Sequence, residues 1–259
     1  MVIMKKNKTL LVAAAFSISL TLLSGCAATK DASKGAHGAS SISDPLEPFN
    51  RAMFGFNNIL DRVLIEPVAK AYTFVTPAFV RNAVQSFMRN LNEPIVFANN
   101  LLQADFGGAG VSASRFFVNT TAGVLGLVDV AAVHGLPYEE EDFGQTLAVW
   151  GFGEGFYLVL PLMGPSSARD AVGLAVDTLA DPVRLATHDP NDEWIYYTRN
   201  AIEGIDNRSR LLGAVEDLRR NSFDYYATVR SAYVQRRQGL IHGQAKATGH
   251  NAYDEFETQ

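Results

Sequence analysis

Apolar residues recur along this chain at spacings of three and four, and that period predicts helices. The first stripe is Phe49, Ala52, Met53, Phe56, Ile59, Leu60, Val63 and Leu64, with Asn50, Arg51, Asn57, Asp61 and Arg62 opposite. Asp44 and Pro45 stand before it as a cap and a first helical residue, and Glu47 is placed to close a capping box. Thr76-Pro77 opens a second stripe of Phe79, Val80, Ala83, Val84, Phe87, Met88 and Leu91, which Pro94 restarts. Residues 105–110 read as a breaker before a helix carrying Val111, Arg115, Phe116, Phe117 and Val118. Gly123 to Ala132 is apolar on nearly every side, which predicts a helix buried in protein or in lipid. Later helices start at Pro165-Ser166, Asn191-Asp192 and Asp224-Tyr225.

Two stretches break the helical period. Residues 134–143 form an acidic loop, Glu139 to Asp142, expected to be solvated. The run from Phe143 to Pro161 carries Gly151, Gly153 and Gly155 at alternate positions, followed by a β-rich segment. Glycine spacing of that kind disfavours a helix and suits a short hairpin or flap. The glycines are either hinges or a tight turn with a close backbone approach. Trp150 and Tyr157 are either anchors at a membrane interface or core residues.

The N-terminal residues change the setting. Lys5, Lys6 and Lys8 precede an apolar run from Leu10 to Leu23 that ends in Ser24-Gly25-Cys26. A basic start, a short apolar core and a small-residue end make a secretory leader rather than a spanning helix. Leu23-Ser24-Gly25-Cys26 resembles the bacterial lipobox. That resemblance implies cleavage before Cys26, the only cysteine, and acylation of its thiol and new amino terminus. Ala27 rather than aspartate follows, which implies sorting to the outer membrane. The expected organisation is a leader over 1–25, a tether over 26–43, a mainly α single domain of amphipathic helices over 44–240 and a polar tail over 241–259.

Loss of the leader leaves 19 basic against 27 acidic residues, a net charge of −8. No basic cluster with interleaved aromatics speaks for nucleic acid. Charged residues are 19% of the chain, against about 25% in an average soluble domain, so lipid on one side of the helices is the alternative to a soluble bundle. No Gly-x-Ser-x-Gly elbow is present, and the histidines fall in no metal-ligand spacing. No catalytic residue, metal or cofactor is assigned. Arg236-Arg237 reads as a solvated helix face or a contact for headgroups or an acidic carrier.

Several motifs, in one order, resemble the MlaA/VacJ outer-membrane lipoproteins. They are Asp44-Pro45-Leu46-Glu47-Pro48-Phe49-Asn50-Arg51, Arg115-Phe116-Phe117-Val118-Asn119-Thr120, and Gly126-Leu127-Val128-Asp129. Further matches lie at Asp142 to Leu147 (with Gly144), at Tyr157 to Pro161, and at Gly164-Pro165-Ser166. Pro48 departs from the family pattern, which has a small residue there. The resemblance implies helices lying in the periplasmic leaflet of the outer membrane as a ring around an amphipathic channel. It implies removal of phospholipids mislocalised to the outer leaflet, handover to a soluble periplasmic lipid carrier, and association with a trimeric porin. The alternative is a structural porin-associated lipoprotein that carries no lipid.

Overall fold

The computed structural model describes residues 42–241 and 243, apart from 188 and 190. The leader, Cys26, the tether up to residue 41 and the tail beyond 243 lie outside the described residues. Ile42 and Ser43, which the sequence places in the tether, belong to the fold. Ile42 is in the core, and Ser43 bridges Phe156 in parallel.

α1 spans Glu47–Leu60, with Pro48 in its first turn. Asp44 does not cap it and Pro45 precedes it; Leu46 is the cap residue, and the Asp44 carboxylate instead accepts from Asn50, Tyr226 and Arg230. A half-buried cation is a stronger partner for that carboxylate than a helix end. The helix continues through a π-turn, Asp61–Ile65, into α2, Glu66–Val75. Pro67 explains the wide turn, because proline donates no bond and crowds the carbonyl four residues back.

α3 (Ala78–Leu102) runs straight past Pro94 instead of restarting there. It packs against α4 (Phe106–Thr121) as an antiparallel pair, tied by Glu93–Arg115 and Asn100–Ser112. α3 and the preceding helix meet at a bend of 119°. The expected breaker at 105–110 is the first turn of α4, because Asp105 caps it by accepting from the Gly108 amide. Gly108 is obligatory there: a Cβ would sit 2.4 Å from Asn100 Oδ1.

The apolar run after α4 is not the expected helix. Gly123 to Val128 is a chain of turns with Val124 and Leu125 at φ 54° and 59°, and only α5 (Val130–Val133) is helical. Asp129 caps α5, and its other bonds to Arg115 and Asn119 fix where the chain must turn. α6 spans Phe143–Val149, where the sequence suggested extended chain; Asp142 caps it through the Gln145 amide. The glycine run is the loop that follows. β1 (Tyr157–Leu160) and β2 (Gly164–Ser167) then form an antiparallel hairpin, so Pro165-Ser166 is strand, not helix start.

Ser167 caps α7 (Ala168–Ala180), and Asp181 caps α8 (Pro182–Ala186). α9 (Glu193–Arg210) breaks at Leu211 before α10 (Leu212–Asn221), and α11 (Tyr225–Ile241) closes the domain. α6 and α7 touch through glycines: a Cβ on Gly173 would lie 2.3 Å from the Gly144 amide nitrogen. An apolar core gathers Ile42, Tyr157, Val159, Tyr226 and Val234, with Met53, Phe54 and Tyr233 against it.

Candidate functional site

The side chains are arranged inside out. Among the described residues, nineteen polar or charged side chains are buried against eleven apolar ones. The first apolar stripe faces outward, with Phe49, Phe56, Ile59, Val63 and Leu64 exposed, and Phe74 is 91% exposed. On the other side Asn50, Asn57 and Asp61 turn inward, while Arg51 and Arg62 stay exposed. Buried polar groups demand partners; single atoms such as Asn90 Oδ1, Asn100 Oδ1 and the Tyr157 hydroxyl lack one among the described residues, but most of these side chains have them.

Four networks supply those partners. Asn50 Nδ2 donates to the Tyr157 carbonyl and to Asp44, while Asn50 Oδ1 accepts from the Val159 amide at 2.9 Å. Two turns on, Asn57 does the same for the Leu160 carbonyl and the Leu162 amide. Arg51 lies over the Tyr226 ring at 4.4 Å and pairs with Asp224 and Glu47. The π-turn brings Asp61 and Glu66 together onto Arg219 at 2.6 and 2.7 Å, and Arg208 adds a second cation. Burial raises the Asp61 carboxyl, but hydrogen bonds from Arg208 and Arg219 outweigh it and hold the group below its usual range.

Arg115 is the largest fully buried side chain among the described residues. Its guanidinium donates to Glu93, to Asp129 and to the Leu136 carbonyl. Asn119 joins Asp129 to the Ala131 amide, and Asn90 donates to Thr120. One cation thus faces two carboxylates. Burial pushes Glu93 up to about 7, only partly opposed by Arg115, while Asp129 is held low despite burial by its bonds from Arg115 and Asn119. The fourth network joins Asp142, Arg237 and Asp170, with Tyr233 donating to Asp170. Arg237 is therefore buried, which corrects the solvated face expected of it, whereas Arg236 is exposed and pairs with Glu140. The acidic loop is corrected in the same way: Glu141 is buried and accepts from Gln103.

Other sequence-predicted residues fall in different places. Tyr157 is fully buried, so it is a core residue and not an interface anchor; its ring meets Tyr226 and Tyr233 edge to face. Trp150 is half exposed and its indole nitrogen donates to the Leu102 carbonyl, which leaves the ring facing outward with its polar atom satisfied. Gly151 and Gly155 have φ of 90° and 73°, and a Cβ on Gly151 or Gly153 would touch nothing. Phe116 is half-buried and meets Phe117 edge to face. Pro161 and Gly164 bound the hairpin turn, where Leu162 (φ 65°) and Met163 are exposed.

One cavity of about 140 Å³ opens between α3 and α9. α3 contributes Gln85, Met88, Arg89 and Asn92; α9 contributes Glu203, Asp206 and Asn207; Tyr138 and Glu140 close it. Arg89 lies 5.2 Å over the Tyr138 ring and makes no ion pair or hydrogen bond among the described residues. Sequence reasoning missed this site. Its signal was present as Gln85, Arg89 and Asn92 at spacings of four and three, polar positions on one face of a largely apolar helix.

No single helix among the described residues is long and apolar enough to cross a membrane. With many large apolar side chains exposed and a polar-rich interior around one small apolar core, the fold defines a helical protein that presents extensive apolar surface. The chain belongs to the MlaA lipoprotein family, whose model matches residues 42–240. It is 36% identical over 237 residues to the intermembrane phospholipid transport system lipoprotein MlaA of Escherichia coli (strain K12), covering 88% of each chain. To the protein of the same name in Haemophilus influenzae it is 33% identical over 240 residues, covering 90% of each. A solved structure bearing on the structural basis for maintenance of bacterial outer membrane lipid asymmetry matches with a TM-score of 0.67 and 39% identity. The match covers 77% of this chain and 99% of that one.

Proposed function

We propose that this chain is an outer-membrane lipoprotein, anchored through Cys26 in the periplasmic leaflet, that carries phospholipids out of the outer leaflet. The lipid passes along an amphipathic channel to a soluble periplasmic lipid carrier, beside a trimeric porin, and no catalytic step is involved. The observation that carries this reading is the inversion of the fold. Exposed Phe49, Phe56, Ile59 and Val63 suit acyl chains, while polar groups such as Asn50 and Arg115 turn inward. Helices lying in one leaflet satisfy their own backbones, so they embed without crossing. Trp150 sits at the lipid–water boundary, and the loop with Gly151, Gly153 and Gly155 gates the passage. The relatives named for phospholipid transport support the same reading.

The test is photocrosslinking from Arg89 and Gln85 positions in the full-length protein in membranes. Crosslinks to phospholipid, and a rise in outer-leaflet phospholipid on deletion of the gene, are expected. A protein that never crosslinks lipid and whose loss leaves the outer leaflet unchanged has a structural role only.

A further inference from the structure

The cavity between α3 and α9 is built from mixed charges that are not equally satisfied. Asp206 pairs with Arg210 at 2.9 Å and accepts from Tyr72; Glu140 pairs with Arg236 at 2.6 Å. Glu203 has only Arg199 at 3.5 Å, beyond hydrogen-bond length, because Arg199 is committed to Asp181 at 2.6 Å. Burial, with Asp181, Glu140 and Asp206 nearby, pushes the Glu203 carboxyl above its usual range. On α3 Arg89 makes no ion pair or hydrogen bond among the described residues, though it lies near enough to Glu93 to favour its charged form, and neither Gln85 on α3 nor Asn207 on α9 makes a hydrogen bond there. The cavity thus offers a free guanidinium and two free amides on one hand, and an under-compensated carboxylate on the other.

We propose that this cavity recognises a phosphoethanolamine headgroup, with Arg89 on the phosphodiester and Glu203 on the primary ammonium. The proposal rests on the lipid-transport reading above and adds a preference among phospholipids. A guanidinium binds phosphate with paired, charge-assisted hydrogen bonds, and Gln85 and Asn207 supply further donors. A primary ammonium has three donors and no acceptor, which suits a carboxylate flanked by other acidic groups. Size agrees: a cavity of about 150 Å³ holds a benzene-sized group, and this one is about 140 Å³.

Competing headgroups fit less well. A glycerol headgroup brings no cation, so it leaves Glu203 uncompensated beside the phosphate, while Asp206 and Glu140 are already paired with Arg210 and Arg236. A quaternary ammonium has no N–H and needs aromatic faces. The cavity's aromatic ring, Tyr138, already carries the Arg89 and Arg115 guanidiniums at 5.2 and 5.5 Å.

The experiment incubates the full-length protein in detergent with equimolar phosphatidylethanolamine and phosphatidylglycerol vesicles, then measures retained lipid by mass spectrometry. The wild-type protein should retain phosphatidylethanolamine about fivefold over phosphatidylglycerol. Glu203→Gln should bring that ratio to near one, and Arg89→Gln should lower retention of both lipids severalfold. Phosphatidylcholine in place of phosphatidylethanolamine should show no enrichment. A wild-type ratio near one, with lipid still retained, overturns the headgroup proposal and leaves transport standing. Retention of neither lipid overturns both. The wild-type ratio decides even where a variant misfolds. Displacement of the lipid by an equal concentration of glycerophosphoethanolamine would assign the cavity to a soluble ligand and overturn its role in lipid choice.

Discussion

Asn50 donates from Nδ2 to the carbonyl of Tyr157 at 3.0 Å, across 107 positions of sequence. Its Oδ1 accepts from the Val159 amide, so one side chain does for β1 what a third strand would do. Alanine at Asn50 leaves a buried carbonyl and a buried amide without partners, and frees Asp44 from one bond. Asn50→Ala should therefore destabilise the domain by about 2–4 kcal/mol. Thermal unfolding in detergent measures it, and Asn50→Asp should cost nearly as much, because it keeps the acceptor and loses the donor. An unchanged melting temperature would mean that β1 is held by its pairing to β2 alone.

The Glu93–Arg115–Asp129 group makes stability depend on pH in a defined window. Native Glu93 keeps its proton up to about pH 7, and the unfolded chain releases it near 4.5. The native state therefore binds more protons between those values, and this contribution falls as pH rises through the window, by about 3 kcal/mol at most. Asp61, Asp129 and Asp142 are held below 3.8, so their contribution disappears only in more acid solution. Glu93→Gln should flatten the change in melting temperature between pH 5 and 7.5 and raise stability at pH 7.5. Arg115→Ala should cost about 3–5 kcal/mol, because it strands two carboxylates.

The helical class was legible because three-and-four spacing is imposed by backbone geometry, whatever surrounds the helix. Which face turns inward was not legible, because that period carries no sign. Phe56 and Asn50 mark opposite faces equally well whether the solvent is water or lipid. Helix starts were legible where local residues decide them, as at Asp192 and Asp224, and misread where a distant cation competes, as Arg230 does for Asp44. Gly123 to Ala132 was misread because Asp129 answers to Arg115, fourteen residues back, rather than to its own run. The cavity around Arg89 needed α9 beside α3, a contact between segments more than a hundred residues apart.

Glycines divide into those that carry a contact and those that do not. A Cβ on Gly173 meets the Gly144 backbone at 2.3 Å, which no rotamer relieves, so α6 must move from α7. Gly173→Ala should destabilise by about 1–3 kcal/mol, the usual cost of overpacking. Gly110, helical with nothing within 4 Å, should behave oppositely, and Gly110→Ala should stabilise by about 0.5–1 kcal/mol through helix propensity. Urea unfolding of the two variants side by side checks both signs.

The outward apolar stripe implies that the acyl chains proposed at Cys26 are an address more than the only anchor. A chain without the leader and carrying Cys26→Ser should still float with phospholipid vesicles. Phe56, Ile59 and Val63 lie on one helical face and are 53%, 65% and 73% exposed. Each contributes on the order of 1 kcal/mol or more if lipid covers that exposed area. Substituting all three with aspartate should release the unlipidated chain from vesicles by at least about tenfold. The same substitutions touch none of the buried networks, so circular dichroism in detergent should be unchanged. An unlipidated chain that stays wholly soluble while folded would return the anchoring role to Cys26 and leave the apolar stripe to a protein partner.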